Sequence, residues 1–328
     1  MSWINQVLEN KQRLALPIMT HPGIEYLNKT VKDAVTDGQV HYDAIKYLAE
    51  RYNSIACTAI MDLTVEAEAF GATVRLPEEE VPTVTGRLVS DEASVNALQV
   101  PDLNAGRLPQ YLLANKLAVA NMDKPVLSGC IGPFSLAGRL YDMSEIMTAI
   151  YIEPDVINTL LAKCTQFILN YCRELKKIGT AGVVIAEPAA GLLSNDDCLM
   201  YSTEFVKQIV DALQDDSFTI VLHNCGNTGQ CTQAMVASGA KALHFGNAID
   251  MVGVLKECPS DVIVMGNIDP VTVFKQATAA NVYATTQKLL QDTKEYKNFV
   301  LSSGCDLPPH VSLENIDAFF DALKAFNE

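Results

Sequence analysis

This chain of 328 residues lacks any apolar run near the roughly 18 residues needed to cross a bilayer. Its opening, MSWINQVLENKQRLALPIM, is amphipathic and charged and does not have the pattern of a secretion signal. Positive charge is also scarce. Lys and Arg number 24 against 39 Asp and Glu, a net charge of −15, and the basic residues are scattered, which argues against nucleic acid and anionic membrane surfaces as partners. The nine cysteines are odd in number and follow no repeating spacing, so no disulfide framework is expected, and a reducing cytoplasm is the expected setting. No interdomain linker, low-complexity segment or internal repeat interrupts the chain. With 49% hydrophobic residues it can bury a large core, and residues 1–328 are expected to form one domain.

What is present is an alternation. Eight short apolar runs rich in β-branched residues recur at 14–20, 57–63, 125–132, 182–188, 218–225, 241–247, 261–269 and 298–305. Stretches with helical spacing separate them: Glu153-Pro154-Asp155 opens one that Gly179 ends, Ser194-Asn195-Asp196 opens another running to about Leu213, and Leu313 to Phe326 closes the chain. Eight strand–helix units predict an α/β fold, a single (β/α)8 TIM barrel with an N-terminal helical extension. The polar stretch 71–107, with PEEEVP and several prolines, predicts a long insertion after the second strand that covers part of the barrel mouth. Barrel enzymes build their sites where the strands end. Asp62, Glu187, His223, Cys225, Asn267, Asp269 and Cys305 all fall at those ends.

Among these, His223, Cys225 and Cys305 have the chemistry of a metal site. Side chains two apart in a strand share a face, so the His and Cys of VLHNCGN can grip one ion, with Cys305 of VLSSGCDLPP as a distant third ligand. Zinc takes such ligands, and three protein ligands leave a fourth position for substrate. The competing reading is ordinary packing: a His-x-Cys pair occurs by chance, and buried His and free Cys are common core residues.

Six motifs in order narrow the choice. MDLTVEAEAFG (61–71), GCIGPFSLAGRL (129–140), VVIAEPAAGLLS (183–194), VLHNCGNTG (221–229), GNIDPV (266–271) and LSSGCDLPPHVSLENI (301–316) together resemble the uroporphyrinogen decarboxylase superfamily. More closely they resemble its zinc-dependent branch, the methylcobalamin:coenzyme M methyltransferases. The resemblance implies a (β/α)8 barrel, zinc on His223, Cys225 and Cys305, and methyl transfer from a corrinoid to a small thiol. True decarboxylases resemble one another in an arginine-rich N-terminal segment, in a His at the position of Cys305 and in lacking the His-x-Cys pair. Here the segment LALPIMTHPGIEYL has no Arg after Arg13, and only Arg87, Arg107 and Arg139 are candidates near the mouth.

No D-x-H-x-x-G motif supplies a lower cobalt ligand, so methylcobalamin is expected to arrive on a separate corrinoid protein, docking over the mouth and in part on 71–107. Coenzyme M is the suggested thiol, with other thiols and tetrahydrofolate left open. A homodimer is allowed without an interface being marked. Two rival functions stand beside this one: a metal-free uroporphyrinogen decarboxylase, and a non-catalytic barrel that binds a corrinoid protein. Asp62 matches the aspartate by which decarboxylases hold pyrrole N–H groups, and here it either orients a metal ligand or caps a helix. Glu187 stands where relatives usually have Asp; as a catalytic carboxylate it would touch substrate or serve as a provisional fourth ligand, the alternative being a structural ion pair. Asn267 and Asp269 either position the substrate's polar end or form a turn. His244 follows in the sixth strand, where related zinc enzymes often carry a carboxylate. His310 is expected to face solvent and Cys231 to be packing.

Overall fold

In the computed structural model, which describes residues 3–328, the apolar runs become strands and the charged stretches between them become helices. The strands are β1 (Cys57–Thr58), β2 (Thr73–Arg75), β3 (Thr83–Thr85), β4 (Val126–Ile131), β5 (Gly182–Ala186), β6 (Thr219–Asn224), β7 (Ala242–Phe245), β8 (Ile263–Ile268) and β9 (Phe299–Ser303). Strands β2 and β3 are an antiparallel pair within the excursion. The other seven form a parallel sheet in the order β1-β4-β5-β6-β7-β8-β9.

The predicted first strand closes the barrel. Ala15 bridges Leu301 of β9, Leu16 donates its N–H to the Leu301 carbonyl at 2.9 Å, and Ile55 donates to the Ala15 carbonyl at 3.1 Å on the other side. Arg13 anchors this segment by donating to the carbonyls of Thr293, Tyr296 and Phe299. The segment is irregular because Pro17 has no N–H to give a ladder. The second strand is shorter than the run 57–63 suggests for a different reason: the N–H of Ile60 goes to the ring of buried His41 at 3.0 Å instead of to a neighbouring strand. With those two differences all eight predicted strands are present, and the fold is a (β/α)8 barrel.

Alternate side chains of a strand point to opposite faces, so every second residue lines the interior. Leu16, Ala56, Leu127, Val184, Val221, Ala242, Ile263 and Val300 form an apolar floor, closed from below by Trp3 and Val7 of the helix Trp3–Leu8. The opposite faces pack under the outer helices. Of these, Pro154–Ile178 begins with proline in its first turn and ends at Gly179, whose φ of +102° is the left-handed conformation that glycine adopts without a Cβ penalty. Ser194 caps its helix through the N–H of Asp197, but a π-turn at Leu199–Thr203 divides the helix before Glu204–Leu213. Among the described residues no helix is long and apolar enough to cross a membrane.

Candidate metal centre

The interior alternation that makes an apolar floor turns polar at the upper layer. Pairing aligns Ala186 of β5, His223 of β6 and His244 of β7, so the two histidines are inward-facing neighbours. Both are buried. Cys225 follows one step past the end of β6 and Cys305 two steps past β9, so both reach the mouth, half-buried. Ligand atoms of His223, Cys225 and Cys305 all lie within 4.8 Å of one another. The separation of Cys305 Sγ and His223 Nε2 is 3.7 Å. Zinc bonds of about 2.3 Å to sulfur and about 2.0 Å to nitrogen, at a tetrahedral angle, require roughly 3.6 Å between these atoms, so the donor set fits that ion in type and spacing.

The two thiols lie close together and shift each other in opposite directions. Cys225 is held below the usual thiol range by Cys305, against the opposing effect of burial. Cys305 is held above it by Cys225 and by burial, with His223 pulling the other way. Two thiolates this close repel each other, so a cation beside them favours deprotonation of the pair. Close approach of loops shapes the site. A Cβ on Gly246 would lie 2.6 Å from the Cys225 carbonyl oxygen. Gly246→Ala is therefore expected to displace Cys225, lowering the melting temperature by the equivalent of about 1–3 kcal/mol and weakening metal binding in a chelator competition. Unchanged values for both would show that the loop yields freely.

A cavity of about 750 Å³ meets the trio at Cys305 and includes Asp306, Asp62, His21, Arg139, Lys275 and His310 in its lining, together with residues 79–83 at the turn of the β2–β3 pair. The excursion does cover part of the mouth. Arg139 and Lys275 make no hydrogen bond or ion pair among the described residues. Burial alone would lower the pKa of His21, but Asp306 at 3.7 Å, with Leu307 and Glu25, raises it above the ordinary histidine value, and its Nε2 is buried without a partner. His310 is exposed and pairs with Glu25 at 3.0 Å.

The remaining sequence candidates are engaged elsewhere. Asp62 lines the cavity, but its carboxylate accepts from Arg107, from the Tyr111 hydroxyl at 3.0 Å and from both the N–H and the hydroxyl of Thr64. Arg107, at the end of the excursion, also pairs with Glu68 at 2.7 Å. Glu187 is buried and outside the trio. Its two oxygens accept from the N–H groups of Phe134 and Ser135, in the first turn of the helix Pro133–Tyr141. Burial raises its pKa to about 7 despite those donors. Asn267 donates to the carbonyls of Gly246 and Ile249, and Asp269 caps the following turn through Val271 and Thr272 while accepting from Asn247. Cys231 is buried, its thiol against the carbonyls of Ala190 and Leu193.

Two residues of the centre carried little sequence signal. His244 contacts His223, Nδ1 to Nδ1 at 2.8 Å, and its Nε2 lies 2.8 Å from Ser302 Oγ. The register of β6 against β7, one inward histidine on each, is the signal that brings them together.

Comparison with known proteins gives a consistent picture. The family model described as Uroporphyrinogen decarboxylase (URO-D) matches residues 14–326. A Methanosarcina mazei protein named methylcobamide:CoM methyltransferase MtbA is 27% identical over 299 residues, covering 88% of this chain and 86% of that protein. A uroporphyrinogen decarboxylase from Alcanivorax borkumensis is 24% identical over 291 residues, covering 85% and 81%. Among solved structures, a methyltransferase from Methanosarcina mazei superposes with a TM-score of 0.90 at 20% identity over all of both chains. A B12-independent methionine synthase from Shewanella sp. W3-18-1 superposes with a TM-score of 0.60 at 15% identity over 96% and 95%. Both structures share the barrel.

Proposed function

The chain belongs to the uroporphyrinogen decarboxylase family, and we propose that within it this protein is a zinc-dependent methyltransferase. It moves a methyl group from the corrinoid of a separate protein to a small anionic thiol such as coenzyme M. The observation that carries this reading is the cluster of His223, Cys225 and Cys305, of which Cys305 lines the cavity. The name of the Methanosarcina mazei relative, methylcobamide:CoM methyltransferase, supports the choice of donor and acceptor.

Zinc bound there would supply the positive charge that favours thiolate over thiol in an incoming substrate. The chain's own residues do the rest. Cys225 and Cys305, as thiolates, offset the two charges of the ion and leave the substrate sulfur electron-rich. Arg139 and Lys275, both in the cavity lining and neither in a hydrogen bond or ion pair among the described residues, receive the substrate's acidic end; His21, whose Nδ1 donates to the Leu307 carbonyl, adds its unpartnered Nε2 as a donor when the ring is protonated. A methylcorrinoid bound over the cavity would supply the methyl group and keep the electron pair of its methyl–cobalt bond, the substrate sulfur would form the new carbon–sulfur bond, and the thiol proton would pass to solvent at the mouth.

A decarboxylase acting on a substrate with many carboxylates needs an arginine-rich mouth. Of the three arginines near it, Arg107 is tied to Asp62 and Glu68, Arg87 is exposed, and Arg139 alone lines the cavity, beside the acidic Asp62, Glu79, Glu80 and Asp306. That composition disfavours a polycarboxylate.

Elemental analysis of the purified protein is expected to give about one zinc per chain. Methylcobalamin and coenzyme M are expected to give the methyl thioether and the reduced corrinoid. Replacing Arg139 by leucine should raise KM for coenzyme M roughly tenfold or more, the loss of a charged hydrogen bond, and leave a neutral thiol such as 2-mercaptoethanol unaffected. A metal-free protein that decarboxylates uroporphyrinogen would overturn the reading.

A further inference from the structure

The metal-facing histidine hands its second nitrogen to another histidine rather than to a carboxylate. It begins a chain of hydrogen bonds that runs across the barrel interior through three strands and ends on a backbone carbonyl. His223 Nδ1 lies 2.8 Å from His244 Nδ1, His244 Nε2 lies 2.8 Å from Ser302 Oγ, and Ser302 Oγ lies 2.6 Å from the Leu16 carbonyl oxygen.

Proton counting gives this chain one direction. A carbonyl oxygen only accepts, so the single hydroxyl proton of Ser302 points to Leu16. Ser302 Oγ must then accept from His244, which places a proton on His244 Nε2. His244 is buried beside His223 on β6, Met265 on β8, and Ser302 and the Ser303 backbone on β9, and none of these carries a negative charge. A buried imidazolium with no anion facing it is strongly disfavoured, so the ring is neutral and its Nδ1 is bare. The proton between the two rings belongs to His223 Nδ1. His223 Nε2 is left with a free lone pair, and that is the atom 3.7 Å from Cys305 Sγ.

We propose that Ser302 and His244 form a one-way relay, anchored on the Leu16 carbonyl, that holds His223 in the Nδ1–H tautomer with its Nε2 lone pair aimed at the metal position. His244 and Ser302 are thus positioning residues, acting on the metal only through His223. The reading of the trio as a metal centre underlies this inference, but the tautomer is a property of the chain itself and is measurable without metal. The relay also links the metal centre to barrel closure, since Leu16 lies on the segment that joins β9 to β1.

Two experiments test it, one on each side of that dependence. In metal-free, uniformly ¹⁵N-labelled protein at neutral pH, long-range ¹H–¹⁵N correlation spectra are expected to show His223 protonated at Nδ1 and His244 at Nε2. The reverse tautomer on either ring would overturn the relay, whether or not the protein binds zinc. In the second experiment, zinc affinity is measured by chelator competition. His244→Leu removes the acceptor and should weaken binding by roughly 10–100-fold. His244→Gln keeps the polarity, its carbonyl accepting from His223 and its amide donating to Ser302, and should recover most of that loss. Leucine and glutamine variants that bind zinc equally would overturn the inference; a wild-type protein that binds no zinc would instead sink the metal reading and leave the spectra to decide the tautomer.

Discussion

Cys305→Ala is expected to abolish methyl transfer and to release the metal while leaving the barrel folded. Three protein ligands hold the proposed zinc, and the apparent binding free energies of four-ligand zinc sites, about 10–16 kcal/mol, assign roughly 3 kcal/mol to each ligand. Removing one therefore weakens binding by on the order of 100-fold or more, enough for dialysis against a mild chelator to strip the variant but not the parent. The fold should survive because Cys305 lies past the end of β9, half-buried at the cavity, where its loss opens space toward solvent. Cys231→Ala is the matching control. That thiol is buried against backbone carbonyls away from the trio, so its removal should lower stability and leave about one zinc per chain in place. A Cys305→Ala protein that retains full zinc and full activity would remove the trio from the mechanism.

The contrast between Cys305 and Cys231 also shows why some of the site was legible in the sequence. The eight apolar runs carried the barrel, because a strand buried on both faces has little freedom in composition. The outer helices were equally legible, since Gly179 and Ser194 satisfy end groups that any helix must satisfy. Period-2 alternation placed His223 and Cys225 on one face, and the strand-end rule brought Cys305 to them from 80 positions away in sequence. What strand ends do not reveal is whether a carboxylate is free. Asp62 and Glu187 stand where catalytic acids stand, yet Arg107 and Tyr111 join the local Thr64 in holding the first, and two helix amides hold the second, so the decisive partners come from other elements. His244 was obscured for a similar reason: its importance comes from register with β6, which a single sequence does not state. Local pattern specifies which side chains reach the mouth, and tertiary pairing decides which of them have lone pairs or protons left to use.

Glu66 is expected to carry a large pH effect on stability. It lies in the helix Val65–Ala69 behind the cavity wall, fully enclosed, with one oxygen accepting from the Ile131 N–H at 3.1 Å and the other buried without a partner. Burial raises its pKa to about 8; the Ile131 N–H and Arg107 lower it, while Asp62 adds to the rise. A carboxyl whose folded pKa is raised stabilises the fold below its unfolded pKa of about 4.3, and that contribution is lost as pH climbs through the folded value. The window is therefore roughly pH 4.5 to 8, and a shift of this size corresponds to on the order of 4 kcal/mol. Other groups titrate in the same range, including the raised Glu187 and the neutral buried His41 and His244, whose depressed values act in the opposite sense as pH falls below about 6.5. A comparison of parent and Glu66→Gln cancels those terms. Glutamine keeps the acceptor for Ile131 and has no charge to bury. Denaturant midpoints for the two proteins are expected to coincide near pH 5 and to separate steadily above it, with the glutamine protein the more stable at pH 8.5. Parallel curves across that interval would mean that Glu66 ionises no differently in the folded and unfolded chains. A gap that widens below pH 5 instead would mean that the ionised carboxylate, held by Ile131 and Arg107, is the form the fold prefers.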